Sequence, residues 1–370
     1  MSLLDKKQKD LWSYLKESSR PVALYGTGDG ADKVISVLEK HQLTGRIKAV
    51  FASDGFVRSR TFRGYKVESF ETVRARLGDD IIVLVCFGSA RPDVLANIER
   101  ISKICETFIP DVPVCGDNVF DSVFAEENED RLERVYELLS DDISRVCFKN
   151  YVNYKLTGRA DYLTASETPD DEKELLKGVL PDTYFLDLGA YNGDTVKRYM
   201  ELLPNAKGAV AVEPERHSYK KLCAVCEEYG GKVTPVHALI SDHPGEGVMT
   251  SSHGRGTRSG IITGEGEGIN KIKTVPVTLA SIDSLMEGKQ TGFIKFDVEG
   301  AELDAIRGGR ETIKKHGPVL MVSCYHRSED LFVLTEEILN IRSDYQICLR
   351  RSRCIPGWDI AFWFIAGGRS

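Results

Sequence analysis

The residues of this sequence best suited to chemistry are carboxylates and glycines that follow short apolar runs. Tyr184–Leu188 is such a run, with Asp187 near its end and Gly189 and Gly193 directly after it. Glycines let the backbone turn sharply and pass close to a ligand. A helix is predicted over residues 196–203, and its N-terminus presents unpaired N–H groups. This strand, glycine turn and helix predict a site for a nucleotide-like molecule.

The next apolar run, Gly208–Val212, indicates which molecule is bound. It ends in Glu213 and Pro214, and Glu213 stands about 26 residues after Asp187, the spacing of an acid that binds ribose hydroxyls. A dinucleotide requires a second glycine two residues after Gly189, but Tyr191 stands there and would crowd a pyrophosphate. S-adenosylmethionine has no phosphate, so the pattern favours this methyl donor over NAD. A glycine turn without any ligand is the structural alternative.

Three later polar residues also follow apolar runs. Asp297 and Glu299 come after residues 293–296, and His326 comes after residues 319–324. Ligands of open α/β sheets bind at the carboxyl ends of the strands, where all three residues are expected. Alone, the two carboxylates would fit helix capping equally well, and the histidine would fit a surface position.

Methyl transfer to an alcohol requires alignment of the acceptor oxygen and a base for its proton. We expect neutral His326 to be that base, with a pKa near 6 to 7. Asp297 and Glu299 either orient hydroxyls or hold a divalent cation. We expect no metal, because two carboxylates without a clear third ligand make a poor cage; a reaction dependent on Mg²⁺ or Mn²⁺ is the alternative.

Two series of alternating strands and helices position these residues. Parallel sheets with crossover helices are therefore predicted, with an antiparallel pair at the edge of the second sheet. The fold class is α/β, and three regions are expected: a Rossmann-like N-terminal domain over residues 1–125, a helical connector over 126–180 and a catalytic domain over 181–370. The predicted strands cover residues 22–25, 46–52, 81–87, 107–110, 184–188, 208–212, 233–240, 274–279, 293–296, 319–324, 345–350 and 360–366.

The first domain carries a second glycine pattern. Gly26, Gly28 and Ala31 fit the permissive dinucleotide motif, and Asp54 stands where a ribose acid would be. An oxidoreductase or epimerase-like protein that binds NAD or a nucleotide sugar is therefore the alternative function. No Tyr-x-x-x-Lys pair follows in that domain to carry proton transfer. A non-catalytic binding module is a third alternative, against which Glu213 and Asp297 argue.

Composition limits the partners. The chain has 370 residues, 42% of them hydrophobic, a net charge of −7 and nine cysteines. The negative charge argues against nucleic-acid binding, and no apolar run is long enough to cross a membrane. Scattered cysteines in odd number predict reduced thiols and a cytoplasmic protein. We expect a small-molecule or glycan acceptor, and a homodimer remains open.

Several motifs together resemble the FkbM family of S-adenosylmethionine-dependent methyltransferases. They are Phe-Leu-Asp-Leu-Gly-Ala-Tyr-Asn-Gly-Asp-Thr, Val-Glu-Pro-Glu, His-Ala-Leu-Ile-Ser-Asp, Val-Pro-Val-Thr with Ser-Ile-Asp-Ser-Leu, and Phe-Ile-Lys-Phe-Asp-Val-Glu-Gly-Ala-Glu-Leu. The resemblance covers about residues 150–366. It implies a class I methyltransferase fold, a seven-stranded sheet whose last strand is antiparallel, and O-methylation, often of sugar hydroxyls. The first domain resembles small Rossmann-like modules that precede some of these enzymes.

The resemblance also implies roles for residues. Asp187, Gly189 and Gly193 would line the methionine end of the donor, Glu213 the ribose and Asp242 the adenine. Asp297 and Glu299 would face the reaction centre. The sequence departs from the family at the end of the fifth strand, where Ser323-Cys-Tyr-His326 replaces an expected glutamate. The predicted donor-binding residues are Asp187, Gly189, Ala190, Tyr191, Asn192, Gly193, Thr195, Glu213, Pro214, Ser241, Asp242 and Asp297.

Overall fold

Two sheets, each rich in parallel strands, form the framework of the protein. The structure is a computed structural model that describes residues 3–53, 61–251 and 273–367. The first sheet has the strand order β3-β4-β2-β1-β5-β6 and is parallel except for the β3–β4 hairpin. Its strands are β1 (Val22–Tyr25), β2 (Ile47–Phe51), β3 (Thr61–Phe62), β4 (Tyr65–Glu68), β5 (Ile82–Val85) and β6 (Glu106–Phe108). Its helices are α1 (Leu11–Glu17), α2 (Asp29–Lys40), α3 (Phe70–Leu77) and α4 (Pro92–Ser102).

Helices connect the two sheets. The longest of them is α7 (Asp142–Thr157). At its N-terminus the Asp141 side chain accepts a hydrogen bond from Ser144 N, and at its C-terminus Gly158 adopts the left-handed conformation that suits glycine. It packs beside the edge of the second sheet, where Ser144 Oγ accepts a hydrogen bond from Leu349 N at 2.8 Å. The connecting helices are α5 (Ser122–Glu127), α6 (Glu129–Leu138), α7 (Asp142–Thr157), α8 (Ala160–Ala165) and α9 (Glu172–Leu175).

The second sheet has seven strands in the order β15-β16-β14-β13-β7-β8-β9. Only β16 runs opposite to the other six strands, and it lies between β14 and β15, with antiparallel pairing to both. The strands are β7 (Tyr184–Leu188), β8 (Gly208–Val212), β9 (Val233–Val236), β13 (Thr291–Phe296), β14 (Val319–Ser323), β15 (Tyr345–Arg351) and β16 (Ile360–Ala366). A small separate sheet of order β10-β12-β11 contains β10 (Leu239–Ile240), β11 (Gly245–Ser251) and β12 (Lys273–Ala280).

Helices cover both faces of the second sheet, as expected for buried parallel strands. The side chains of each strand alternate between the faces. Phe185, Phe293 and Trp363 belong to the core beneath α10 and α11, whereas Leu186, Ile294 and Leu320 belong to the opposite core. The helices are α10 (Asp194–Leu202), α11 (Arg216–Glu227), α12 (Ile282–Leu285), α13 (Glu302–Arg307), α14 (Arg310–His316) and α15 (Asp330–Ile341).

One hydrophobic core is shared by the two sheets. Tyr25 and Val83, on one face of the first sheet, belong to the same cluster of buried residues as Leu186 and Phe296 of the second. Buried residues of α6 and α7 belong to the same cluster. The other face of the first sheet packs separately, against α1 and α2.

The architecture confirms the predicted fold class, a class I methyltransferase sheet preceded by a smaller α/β unit. The predicted domain bounds of 1–125, 126–180 and 181–370 remain a prediction. Among the described residues, no helix combines the length and apolar character needed to cross a membrane.

The cysteines are all free thiols, and most are buried. Cys86 follows β5 and Cys105 precedes β6, whereas Cys324 follows β14 and Cys348 lies within β15. Burial raises the pKa of each of these four thiols above the usual value. They are therefore protonated and unreactive in the folded chain.

Candidate active site

Most of the predicted site residues lie where β7, β8 and β13 end, at the carboxyl ends of the parallel strands of the second sheet. His326 follows β14, and Ser241 and Asp242 follow β10 of the small sheet. Gly189 follows β7 with a φ of 78°, and a Cβ there would lie 1.9 Å from the carbonyl oxygen of Asp297, which follows β13. This glycine is required for the conformation and for the contact between the two loops. The glycine loop after β7 and the loop that begins at Asp297 are therefore in direct backbone contact.

A cavity of about 420 Å³ opens at this edge. Glu213 lies in its wall and is only 7% exposed. Its two carboxylate oxygens accept hydrogen bonds from the backbone N–H groups of Tyr191 at 3.0 Å and of Glu215 at 2.7 Å. Burial raises the pKa of Glu213 to about 7. The backbone thus fixes the orientation of the carboxylate predicted to bind ribose.

The predicted donor-binding residues divide into two groups. Those in the cavity wall are Gly189, Tyr191, Thr195, Glu213, Pro214 and Asp297, together with the predicted catalytic residue Glu299. The remaining predicted residues do not line the cavity; they are Asp187, Ala190, Asn192, Gly193, Ser241 and Asp242. At the expected adenine end, Ala238, Leu239 and Ile240 form an apolar wall instead. The Asp242 carboxylate is 2.5 Å from His243 Nδ1.

Asp187 lies behind the cavity rather than in it. It is fully buried, accepts a hydrogen bond from Thr195 Oγ at 2.5 Å, and pairs with Lys295 Nζ at 3.2 Å. Lys295 also donates to the carbonyl of Gly189 at 3.2 Å. Burial alone would lower the pKa of Lys295, but Asp187 and Asp297 raise it. Our sequence analysis missed Lys295, although a lysine inside the apolar run of β13 was a visible signal.

His326 lies beneath the carboxylates of the site. It is fully buried, and its Nε2 is 3.7 Å from Asp297 Oδ1 and 3.8 Å from Glu299 Oε2. Its Nδ1 lies 2.9 Å from Oε1 of Glu302, a residue of α13 that the sequence analysis did not single out. Tyr325 OH donates to Asp297 Oδ1 at 3.1 Å. The imidazole is therefore enclosed by three carboxylates.

This environment contradicts the expected pKa of His326. Burial alone would lower that pKa, but Glu302, Asp297 and Glu299 raise it to about 9. The prediction of a neutral base with a pKa near 6 to 7 is therefore wrong. Burial raises the pKa of Glu299, whereas Lys295 and His326 outweigh burial and lower that of Asp297. The Asp297 carboxylate therefore faces the cavity in its charged form, and the protonated side chains of Lys295 and His326 lie behind it.

A second cavity, of about 440 Å³, lies on the other side of Asp297. Thr195, Lys295 and Asp297 line both cavities. The second is bounded by β14, β15 and β16 and by residues 168–172. Arg350 in its wall pairs with Asp171 at 2.7 Å and with Asp141 at 3.0 Å. Two adjoining cavities that meet at a carboxylate can hold a donor and a polar acceptor.

The first unit, which comprises β1–β6, α1–α4 and the segment that follows β6, contacts this site through that segment. Cys115 N donates to the carbonyl of His326 at 2.9 Å, and Cys115 Sγ contacts the carbonyl of Glu299 at 2.9 Å. Ser89 and Ile355 exchange two backbone hydrogen bonds, of 2.7 and 3.0 Å. The first unit therefore supports the loops that carry the catalytic candidates.

Two glycines near the predicted dinucleotide motif, Gly26 and Gly30, have a packing role, whereas a Cβ at Gly28 would have no atom of the described residues within 4 Å. A Cβ at Gly26 would lie 2.9 Å from the Phe87 ring, and one at Gly30 would lie 2.5 Å from the Cys86 carbonyl. These contacts let α2 approach β5 closely without requiring any ligand. Asp54, the proposed ribose acid of the alternative function, lies outside the described residues.

Comparisons with known proteins agree with this arrangement. Residues 187–346 match the family model of the methyltransferase FkbM domain. The crystal structure of methyltransferase FkbM from Methylobacillus flagellatus is similar, with a TM-score of 0.68, 20% identity and coverage of 94% of this chain and 90% of that chain. No curated protein sequence matched.

Two further solved structures match only about half of the chain. Precorrin-6y C5,15-methyltransferase from Geobacter metallireducens has a TM-score of 0.32, with 12% identity over 54% of this chain and 88% of its own. Fibrillarin from Aeropyrum pernix, solved with S-adenosyl-L-methionine, also has a TM-score of 0.32, with 14% identity over 53% of this chain and 73% of its own.

Proposed function

We propose, from the FkbM methyltransferase domain that residues 187–346 form, that this chain is an O-methyltransferase acting on a hydroxyl of a sugar-containing acceptor. The domain implies a methyltransferase that uses S-adenosylmethionine. The observation that carries the finer assignment is the meeting of two cavities at Asp297. The donor occupies the cavity beside Glu213, and the acceptor occupies the cavity beside Arg350.

The acceptor cavity suits a molecule with many hydroxyl groups. Its wall contains the ionic side chains Asp170, Asp171, Arg350 and Asp359 beside Trp363. Most of these charges already have protein partners, as in the pairing of Arg350 with Asp171 and Asp141. A neutral polar acceptor would gain hydrogen bonds there without leaving a charge unpaired.

The chemistry is an in-line displacement. The acceptor oxygen attacks the methyl carbon, the carbon–sulfur bond breaks, and S-adenosylhomocysteine leaves. Alignment contributes most, because the sulfonium is already a good leaving group. Asp297, in the wall of both cavities, orients the hydroxyl. Glu299, whose pKa is raised by burial, accepts its proton.

Calorimetry and isotope transfer test this proposal. The full-length chain should bind S-adenosylmethionine and not NAD. With the methyl-labelled donor and a panel of oligosaccharides, glycosides and nucleotide sugars, the label should appear as a methyl ether. Failure to bind the donor would refute the methyltransferase assignment. Label attached to nitrogen or carbon would refute only O-methylation.

A further inference from the structure

The imidazole of His326 has an unused coordinating atom beside two carboxylates. The side chain is fully buried, and neither ring nitrogen has a hydrogen bond of acceptable geometry among the described residues. Nε2 points between Asp297 Oδ1 at 3.7 Å and Glu299 Oε2 at 3.8 Å. A buried nitrogen without a partner is costly, so the arrangement requires an explanation.

Glu302 fixes how the ring presents this atom. Glu302 Oε1 accepts a hydrogen bond from Val298 N at 2.9 Å and lies 2.9 Å from His326 Nδ1. A carboxylate beside one ring nitrogen, with the other directed at further ligands, is the arrangement that orients metal-binding histidines. The group Asp297, Glu302 and His326 also brings its ligand atoms within 4.8 Å of one another.

We propose that His326 Nε2, Asp297 Oδ1 and Glu299 Oε2 bind one divalent cation, which displaces the Nε2 proton to solvent, with Glu302 positioning the imidazole. The separations of 3.7 and 3.8 Å between Nε2 and each of the two carboxylate oxygens suit atoms that share a cation at about 2.1–2.3 Å. One nitrogen and two carboxylate oxygens suit Mn²⁺, Fe²⁺ or Zn²⁺ better than Mg²⁺. His326 supplies the third ligand that the sequence analysis had lacked.

The neighbouring groups leave the ligand atoms available. Lys295 Nζ is 3.8 Å from Oδ2 of Asp297, the oxygen that the cation does not use. Tyr325 OH donates to Oδ1 and leaves that atom further lone-pair capacity. The side chains of Asp297 and Glu299 are 34% and 49% exposed, so the cation would face the cavities.

This inference rests on the proposed function and assigns the site its chemistry. Three protein ligands leave coordination positions open, as in catalytic metal sites. The cation would supply a Lewis acid beside the acceptor hydroxyl, and the free carboxylate oxygen of Glu299 would accept the hydroxyl proton. The acceptor oxygen would then attack the methyl group, and the electron pair of the carbon–sulfur bond would leave with sulfur.

Direct metal binding tests the proposal without an acceptor. Mn²⁺ is titrated into the chelator-treated full-length chain and followed by electron paramagnetic resonance, with expected saturation at one ion per chain. Glu302→Gln should weaken Mn²⁺ binding by about 10–100-fold, as for other groups that orient ligands. Glu299→Gln should weaken it at least as much. Because the Glu299 side chain is half-exposed, this substitution should leave the fold intact. Glu311→Gln, which removes an exposed carboxylate from α14, should bind Mn²⁺ like the unaltered chain.

Donor calorimetry on the same samples separates the two proposals. Donor binding without Mn²⁺ binding would overturn the metal site and leave the methyltransferase standing; His326 would then be a buried imidazolium. Mn²⁺ binding without donor binding would overturn the proposed function and leave the metal site. Mn²⁺ binding that survives in both Glu299→Gln and Glu302→Gln would also overturn the assignment.

Discussion

Glu213 is held by the backbone before any ligand arrives. Because the N–H groups of Tyr191 and Glu215 fix its two oxygens, little rotational freedom is lost when ribose hydroxyls bind. Replacing Glu213 with alanine should weaken S-adenosylmethionine binding by about 2–3 kcal/mol, the value of a charge-assisted pair of hydrogen bonds. Calorimetry measures the effect. Glu228→Ala, which removes an exposed carboxylate from the same region, is the control. Equal affinity in the two variants would remove Glu213 from the site.

The same carboxylate predicts how donor binding depends on pH. Burial raises the pKa of Glu213 to about 7, so at pH 6 the Glu213 carboxyl group is protonated in most molecules of the donor-free protein. The carboxylate form accepts the ribose hydrogen bonds, so binding releases a proton. Affinity should therefore rise by nearly tenfold per pH unit below pH 7 and level off above it. In Glu213→Gln the affinity for the donor should no longer depend on pH in this range. An affinity that still rises with pH in this variant would show that another group titrates.

The local sequence predicted the residues of the donor cavity better than the residues that hold other site side chains in place. Gly189 and Glu213 were found because each directly follows a recognisable strand. Glu302 and Arg350 were missed because their partners, His326 and Asp141, are distant in sequence or lie on other elements. The predicted pKa of His326 was wrong for the same reason, since the carboxylates around it come from the loop between β13 and α13 and from the start of α13, not from the segment of His326 itself.

At the scale of elements, the loop contact between β7 and β13 depends on Gly189. An alanine there would place its Cβ 1.9 Å from the Asp297 carbonyl and would require a φ of 78°. Strain and overpacking together should lower the free energy of unfolding by about 3 kcal/mol or more. Gly45→Ala is the control, because a Cβ there has no atom within 4 Å. Denaturant unfolding measures both. Equal stability would mean that the two loops separate at little cost.

The buried ion pair between Lys155 and Asp111 joins α7 to the segment after β6. Its atoms are 2.7 Å apart, and the side chains are 1% and 5% exposed. Asp111→Asn should destabilise the chain by about 3–5 kcal/mol, because it leaves a buried ammonium without its counter-charge. Asp117→Asn removes the partner of Lys40 in an exposed pair and should change stability by less than about 1 kcal/mol. A small loss in Asp111→Asn would show that water reaches Lys155.

The strands of both sheets were largely predictable because they are dense apolar runs between turns. The predicted strand over residues 233–240 divides in the structure: β9 pairs with β8, whereas β10 leaves the main sheet to pair with β12. The β3–β4 hairpin was missed, since its short strands are partly exposed and have little apolar character. Single-strand patterns do not reveal which partner a short edge strand will choose.

At the scale of the whole molecule, the shared core predicts that the second sheet needs the first unit in order to fold stably. A methyltransferase sheet that is complete without residues 1–110 would by itself predict that residues 141–370 fold alone and bind the donor. In the structure, Phe332 of α15 instead packs beside Phe124 of α5 and beneath the Arg131 guanidinium of α6. We expect the chain from Asp141 onward to be insoluble or to lack a cooperative thermal transition, because that surface would be exposed. Circular dichroism and donor calorimetry measure the outcome. A soluble fragment that binds the donor would establish independent folding.

The buried thiols allow the opening of each sheet to be timed by a chemical reagent. Cys86 and Cys105 belong to the first sheet, and Cys324 and Cys348 to the second. A small alkylating reagent reaches them only when the surrounding structure opens, so peptide mass spectrometry records each sheet separately. If the shared core makes the sheets open together, both pairs will acquire label at one rate. Any unfolding experiment on this chain must also contain a reductant, because the opened state would otherwise form mismatched disulfides.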